Sequence, residues 1–265
     1  MKHLLNKKFW LVTVVLLVTL VIVVVRGRDI PPTKGLSATQ SLSRLPPVML
    51  WAWERSERLD FIDPEKVGVA FLVKRIQLSG DKVIARPRLQ PLEVPPHTKL
   101  VAVVRIETDQ ENRPTLDAAQ VEQTISELTS VVRDGVLGLQ LDFDATVSER
   151  AFYRQLLVKL RRELPQSVPL SITALASWCS GDNWLDNLPV NEAVPMMFRL
   201  GVESRQFAER FQSGYEFPAQ ACRMSAGLST DETVSLPPQV KRLYIFNRDP
   251  WSKRTLEKSL EAYYR

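Results

Sequence analysis

Histidine and cysteine are scarce in this chain: 265 residues contain two of each. Both scarcities exclude chemistry. A Ser-His-Asp arrangement would have to use His97, because His3 sits in the N-terminal tail. His97 falls in the turn Pro95-Pro96-His97-Thr98 ahead of a strand, the wrong end for a barrel site. Two cysteines without histidine help cannot complete a zinc site, and no histidine–carboxylate cluster has metal-ligand spacing. No P-loop, G-x-G-x-x-G or G-x-S-x-G follows a strand-like run. The sequence therefore predicts neither a metal nor a cofactor.

A basic domain surface is missing too. The formal net charge is +5. Residues 1–44 hold Lys2, Lys7, Lys8, Arg26, Arg28, Lys34 and Arg44 against one acid, Asp29. The remainder carries 28 basic and 29 acidic residues, so it is nearly neutral. That removes the main electrostatic argument for nucleic acid as a partner.

What the N-terminus has in abundance is apolar side chains. Phe9 to Val25 is interrupted only by the hydroxyls of Thr13 and Thr19. At 1.5 Å per residue the run is about 25 Å long, the short end for crossing a bilayer. A cleavable signal peptide would have a shorter run and a small-residue cleavage site. Here Arg26-Gly27-Arg28 follows instead. Residues 1–28 therefore read as a cytoplasmic tip and an uncleaved transmembrane signal anchor. The protein is expected as a single-pass inner-membrane protein with its domain in the periplasm or outside the cell. Basic residues on both sides leave charge unable to decide the orientation. Residues 29–46, with Pro31-Pro32, Gly35 and Pro46, read as a flexible tether, and 47–265 as one domain. In an exported domain Cys179 and Cys222 are disulfide candidates; in the cytosol they would be two semi-buried thiols.

Eight segments read as strands: 48–54, 67–73, 99–107, 137–144, 169–176, 193–200, 223–228 and 242–247. Several are apolar on both faces and are followed by helical patterns, notably 116–133, 148–164, 203–212 and 252–264. That arrangement predicts a parallel sheet covered on both sides. Eight strands predict an irregular (β/α)8 TIM-like barrel, with a doubly wound open sheet as the other reading. The irregularity is a β-hairpin over 75–85 in place of the second helix.

The segment Gly138-Leu139-Gln140-Leu141-Asp142-Phe143-Asp144 carries the chemistry. Alternation puts Gln140, Asp142 and Asp144 on one strand face. Two carboxylates roughly 6–7 Å apart repel, which raises the proton affinity of one and equips it as a general acid. The competing reading is a strand end whose carboxylates cap a helix or pair with arginines. Other strand ends bring Trp53, Glu54, Arg105, Glu107, Trp178, Arg199 and Asn247. Tryptophan faces stack on sugar rings while acids and amides bond hydroxyls, so these residues, together with Gln140, are expected to bind substrate at a carbohydrate site.

The blocks LWAWER, VGVAFL, RPRLQPL, LVAVVRIE, LQLDFDA, SERAFYRQLL, EAVPMMFRLG, GLSTDE and YIFNRDPW, from Val48 to Trp251, resemble a bacterial family known as a domain of unknown function, family 3142. The resemblance implies kinship to TIM-barrel glycoside hydrolases. Residues 138–144 are also similar to the fourth-strand pattern G-x-D-x-D-x-E of chitinase-type hydrolases. That similarity implies Asp144 in the place of the acid and Asp142 as its partner. Gln140 departs from the pattern, and Asp144 is one methylene shorter than the Glu it replaces. The expected function is a membrane-anchored, glycoside-hydrolase-like protein acting on or binding an envelope or extracellular glycan. A non-catalytic glycan-binding protein, or a structural or partner-binding envelope protein, remains open.

Overall fold

Eight apolar runs become parallel strands that close on themselves. The computed structural model describes residues 37–263. In chain order the strands are β1 (Val48–Ala52), β2 (Glu57–Arg58), β3 (Val67–Ser79), β4 (Lys82–Pro87), β5 (Leu92–Glu93), β6 (Leu100–Thr108), β7 (Val136–Asp142), β8 (Leu170–Leu175), β9 (Glu192–Met196), β10 (Ser225–Ser229) and β11 (Arg242–Phe246). The α-helices are α1 (Ala38–Ser43), α2 (Ala118–Thr129), α3 (Arg150–Glu163), α4 (Ala176–Ser180), α5 (Glu203–Gln212) and α6 (Lys253–Tyr263). β1 pairs in parallel with β3 on one side and with β11 on the other, which closes the ring β1-β3-β6-β7-β8-β9-β10-β11. Closure excludes the open-sheet reading.

Two apolar layers explain why the strands are greasy on both faces. Leu50, Val69, Val104, Leu141 and Ile172 join helix residues such as Val121, Phe152 and Leu156 in the outer layer. Met49, Trp51, Leu72, Val103 and Tyr244 form a second cluster without any residue of α2–α6, which is the barrel lumen. The Trp51 indole crosses that lumen over Gly227, where an added Cβ would lie 2.7 Å from the ring. α2 and α3 pack because their apolar residues recur at helical spacing: Val121, Ile125 and Leu128 on α2, and Phe152, Leu156 and Leu160 on α3. Asp117 caps α2 by accepting from the Gln120 backbone N–H.

Three strand connections lack a helix. The segment after β3 is the expected hairpin, with β4 running antiparallel to β3 (Lys74↔Pro87 to Ser79↔Lys82). No helix stands between β1 and β3 or between β10 and β11 either. The β1 exit is knitted by arginines instead. The Arg88 guanidinium donates to the carbonyls of Ala52, Trp53, Arg55, Gln90 and Pro91. Arg55 donates to the carbonyls of Asn247 and Arg248 and pairs with buried Glu57 at 2.8 Å. The Glu57 carboxylate in turn accepts from the Trp251 backbone N–H at 2.9 Å.

The base of the barrel holds a buried charge. Glu192, 2% exposed, accepts from Ser171, Ser225, Arg242 and Tyr244, so it fastens β8, β9, β10 and β11 together. Arg242 also donates to the carbonyls of Leu42, Leu45 and Pro46. The expected tether is corrected here for residues 37–46. Ser37 caps α1, and Leu45 is buried in the lumen cluster. The domain thus starts by residue 37, because its first turn plugs the barrel. The anchor expected over 1–28 and the tether over 29–36 lie outside the described residues. Among those described, no helix is long and apolar enough to cross a membrane.

Candidate functional site

A cavity of about 670 Å³ opens at the C-terminal ends of the strands. Its charged wall comes from three adjacent strands. β3 brings Arg75, β6 brings Arg105 and Glu107, and the end of β7 brings Asp142 with Asp144 beyond it. Arg105 Nη1 donates to Asp142 Oδ2 at 2.6 Å, and its Nε donates to Glu107 at 2.9 Å. Arg75 donates to Glu54 at 2.7 Å and stands 3.7 Å from Glu107. The result is a ladder of alternating charge across the mouth.

Asp142 and Asp144 differ sharply. The Asp142 side chain is 4% exposed, and its second oxygen accepts from the Thr173 hydroxyl at 2.8 Å. The Asp144 side chain is 48% exposed, and Arg105 Nη2 approaches it only to 3.9 Å. Partial burial, and then the charge of Asp142, push the Asp144 carboxyl above the ordinary Asp value against the pull of Arg105. Burial would lower Arg105, but Asp142 and Glu107 more than offset it and hold the guanidinium charged. A second cavity, about 320 Å³, shares Arg105, Glu107 and Asp144 with the first. Asp144 therefore stands where two cavities meet, with a proton held more tightly than usual.

The opposite wall is apolar. It comprises Trp53, Leu175, Met196, Phe198, Leu200 and Phe246. Phe198 stacks on Phe246 at 6.3 Å, and Trp53 meets Phe246 edge-on at 6.4 Å. Arg199 lines the rim from the loop after β9 rather than from a strand end. It adopts φ +57°, an uncommon conformation for a residue with a side chain, and the Glu232 carboxylate holds its backbone N–H at 3.0 Å.

Residues 97–192 match the family model of a domain of unknown function, DUF3142. The matched stretch covers about a third of the chain and runs from β6 to the start of β9. It carries Arg105, Glu107, Asp142, Asp144 and Glu192, so the charged wall lies almost wholly within the DUF3142 segment. No curated protein matches the sequence.

The structure brings Trp53, Arg105, Glu107, Asp142, Asp144 and Arg199 to one cavity and leaves four expected binding residues out of it. Gln140 lies below, fully buried, accepting from Trp51 Nε1 at 2.8 Å and donating to Ser171 at 3.1 Å. Trp178 lies in the outer core, edge-on to Trp184 at 4.9 Å and beneath Arg150, because α4 turns it away from the mouth. Asn247 is spent on Thr230 and on the carbonyls of Asp249 and Pro250. Glu54 stands behind Arg75 as its partner. Cys179 and Cys222 form a disulfide with Cα atoms 5.9 Å apart, bracing α4 beside the cavity wall.

Arg75 is the residue of the charged wall that sequence reasoning missed, and the apolar wall opposite, Trp53 apart, was not foreseen either. Simple alternation from Ala70 and Leu72 would turn Lys74 inward. A bulge between Leu72 and Lys74 inserts Val73 and turns Arg75 inward instead, beside Arg105. Lys74 faces out and pairs with Glu127 of α2 at 2.6 Å. The apolar alternation of Ile76 and Leu78 past the expected strand end was the available signal.

Proposed function

We propose that this barrel acts on a glycan, with Asp144 as the group that gives and takes the proton. The observation that carries the reading is the position of Asp144. It is half-exposed, its carboxyl is pushed upward, and it separates two cavities, so a bond of an extended ligand would lie beside it. Asp142, held by Arg105 and Thr173, would add its charge to the burial that already raises the Asp144 carboxyl's hold on a proton. The likeness of 138–144 to the chitinase-type strand, and the kinship to TIM-barrel glycoside hydrolases that the family resemblance implies, are consistent with this reading. A location in the cell envelope, with residues 1–28 as an anchor, agrees with the Cys179–Cys222 disulfide.

One observation favours a non-catalytic glycan-binding reading. Hydrolysis by two carboxylates needs a second acid free to act as nucleophile or base. Within the charged wall, Glu107 and Asp142 are both bonded to Arg105, and the remaining lining carboxylate, Glu203, comes from the start of α5 after the apolar β9. A glycan array probed with the full-length chain, followed by incubation of each hit with wild type and Asp144→Asn, separates the readings. Cleavage by wild type alone supports hydrolysis. Binding by both proteins without cleavage supports the binding module. The absence of any bound glycan sinks both.

A further inference from the structure

The two walls of the mouth are segregated by strand. Apart from Arg199 and Glu203, which follow β9, charged side chains occupy β3, β6 and the end of β7, which are neighbours in the ring. Apolar side chains occupy the arc from the end of β8 through β9 and β11 to β1. This is more than a sugar-stacking platform. A sugar ring needs one open aromatic face, whereas Phe198, Phe246 and Trp53 pack on one another and the wall continues in aliphatic groups. Leu175 is 39% exposed within it, and Val202, just past Leu200 on the rim loop, is 85% exposed. Leu175, Met196, Phe198 and Leu200 together give the cavity an apolar side that a ligand's apolar part can cover.

Charge narrows the ligand further. Three arginines and four carboxylates line the cavity, and the two inner arginines are already bonded to carboxylates. An anionic head group would displace those pairs and meet the acids behind them. A neutral hydroxyl-rich head group can bond to the same charges without disturbing them. The volume suits a ligand larger than a single ring, within the roughly 300–1,000 Å³ of small-molecule sites.

We infer that the ligand is a neutral glycoside bearing an alkyl or acyl chain, with the sugar at Asp144 and Arg105 and the chain along Leu175, Met196, Phe198 and Leu200. This rests on the glycan reading above and adds the apolar half of the ligand to it. The test uses the full-length chain kept in solution by an amphipathic polymer, titrated by calorimetry with methyl, butyl, hexyl and octyl β-D-glucopyranoside below their micelle concentrations. Each methylene buried is worth roughly fourfold in affinity. The series should therefore tighten by at least about tenfold from methyl to octyl. Leu175→Asp and, separately, Leu200→Asp should flatten it while circular dichroism stays unchanged. Partition of the probes into the polymer is common to all three proteins, so the difference between them reads the cavity wall.

A flat series in wild type, or the same slope in both variants, overturns the inference; if glycans still bind on the array, the glycan reading stands without it. Octyldimethylamine oxide, which has the chain and no sugar, supplies the other arm. Binding as tight as that of the octyl glucoside would overturn the glycan reading and this inference with it. Much weaker binding supports both.

Discussion

Asp142 and Asp144 are two residues apart and answer to different neighbours. Asp142 balances Arg105 and accepts from Thr173, so Asp142→Asn leaves a half-buried guanidinium without its closest partner. That substitution should cost about 1–3 kcal/mol by urea denaturation. Asp144 has no such obligation. Its raised folded value means that the folded protein holds the proton more tightly than the unfolded chain. Stability from this group therefore falls as pH rises from the ordinary Asp value through the raised one. Asp144→Asn should remove that slope and leave stability at neutral pH unchanged or slightly higher, which denaturation curves at several pH values will read. A clear loss of stability would instead make Asp144 a structural ion-pair partner. The paired carboxylates were legible in the sequence because strand alternation holds up to Asp142 and the chain turns into the mouth straight after. Gln140 was misplaced by the same alternation. It shares their face but lies one layer deeper, where Trp51 closes the lumen above it.

Where helices are missing, side-chain hydrogen bonds take over their work. Arg88 gathers five backbone carbonyls of the β1 exit and of its own loop. Burial lowers its proton affinity, but not enough to discharge a guanidinium. Arg88→Ala should leave several of those carbonyls unpaired, with a loss of about 2–4 kcal/mol and faster amide exchange over 52–58. The disulfide serves the α4 side of the mouth in the same way. It closes a loop of 43 residues, for which chain entropy gives about 4 kcal/mol. Replacing both cysteines by serine should cost about 2–4 kcal/mol in thermal unfolding. Long elements were readable: α5 occupies Glu203–Gln212 as the periodicity predicts, and β4 forms the foreseen hairpin. Ends were not. α2 begins at Ala118 rather than at 116, because Leu116 takes φ +54° and Asp117 supplies the cap. β9 stops at Met196, and the loop beyond it turns through two left-handed residues, Arg199 and Gly201.

At the scale of the molecule, the segment 37–46 is part of the barrel rather than a leash. A chain that starts at residue 47 should be less stable than one that starts at 37 by roughly 2–4 kcal/mol, through loss of buried Leu45 and of carbonyl partners for Arg242. Equal unfolding midpoints for the two would show that the plug is dispensable. The ring closure has a further consequence in time. Val48 pairs with Leu243, its partner nearly two hundred residues later in the chain. At roughly 5–20 residues per second, a ribosome needs on the order of ten to forty seconds to make that stretch. Throughout that wait β1 has one bare edge, and every newly added strand presents another. The half-made barrel is thus the state most exposed to mispairing with its neighbours. A premature stop before Arg242 removes β11 and leaves Val48–Ala52 without its second partner for good.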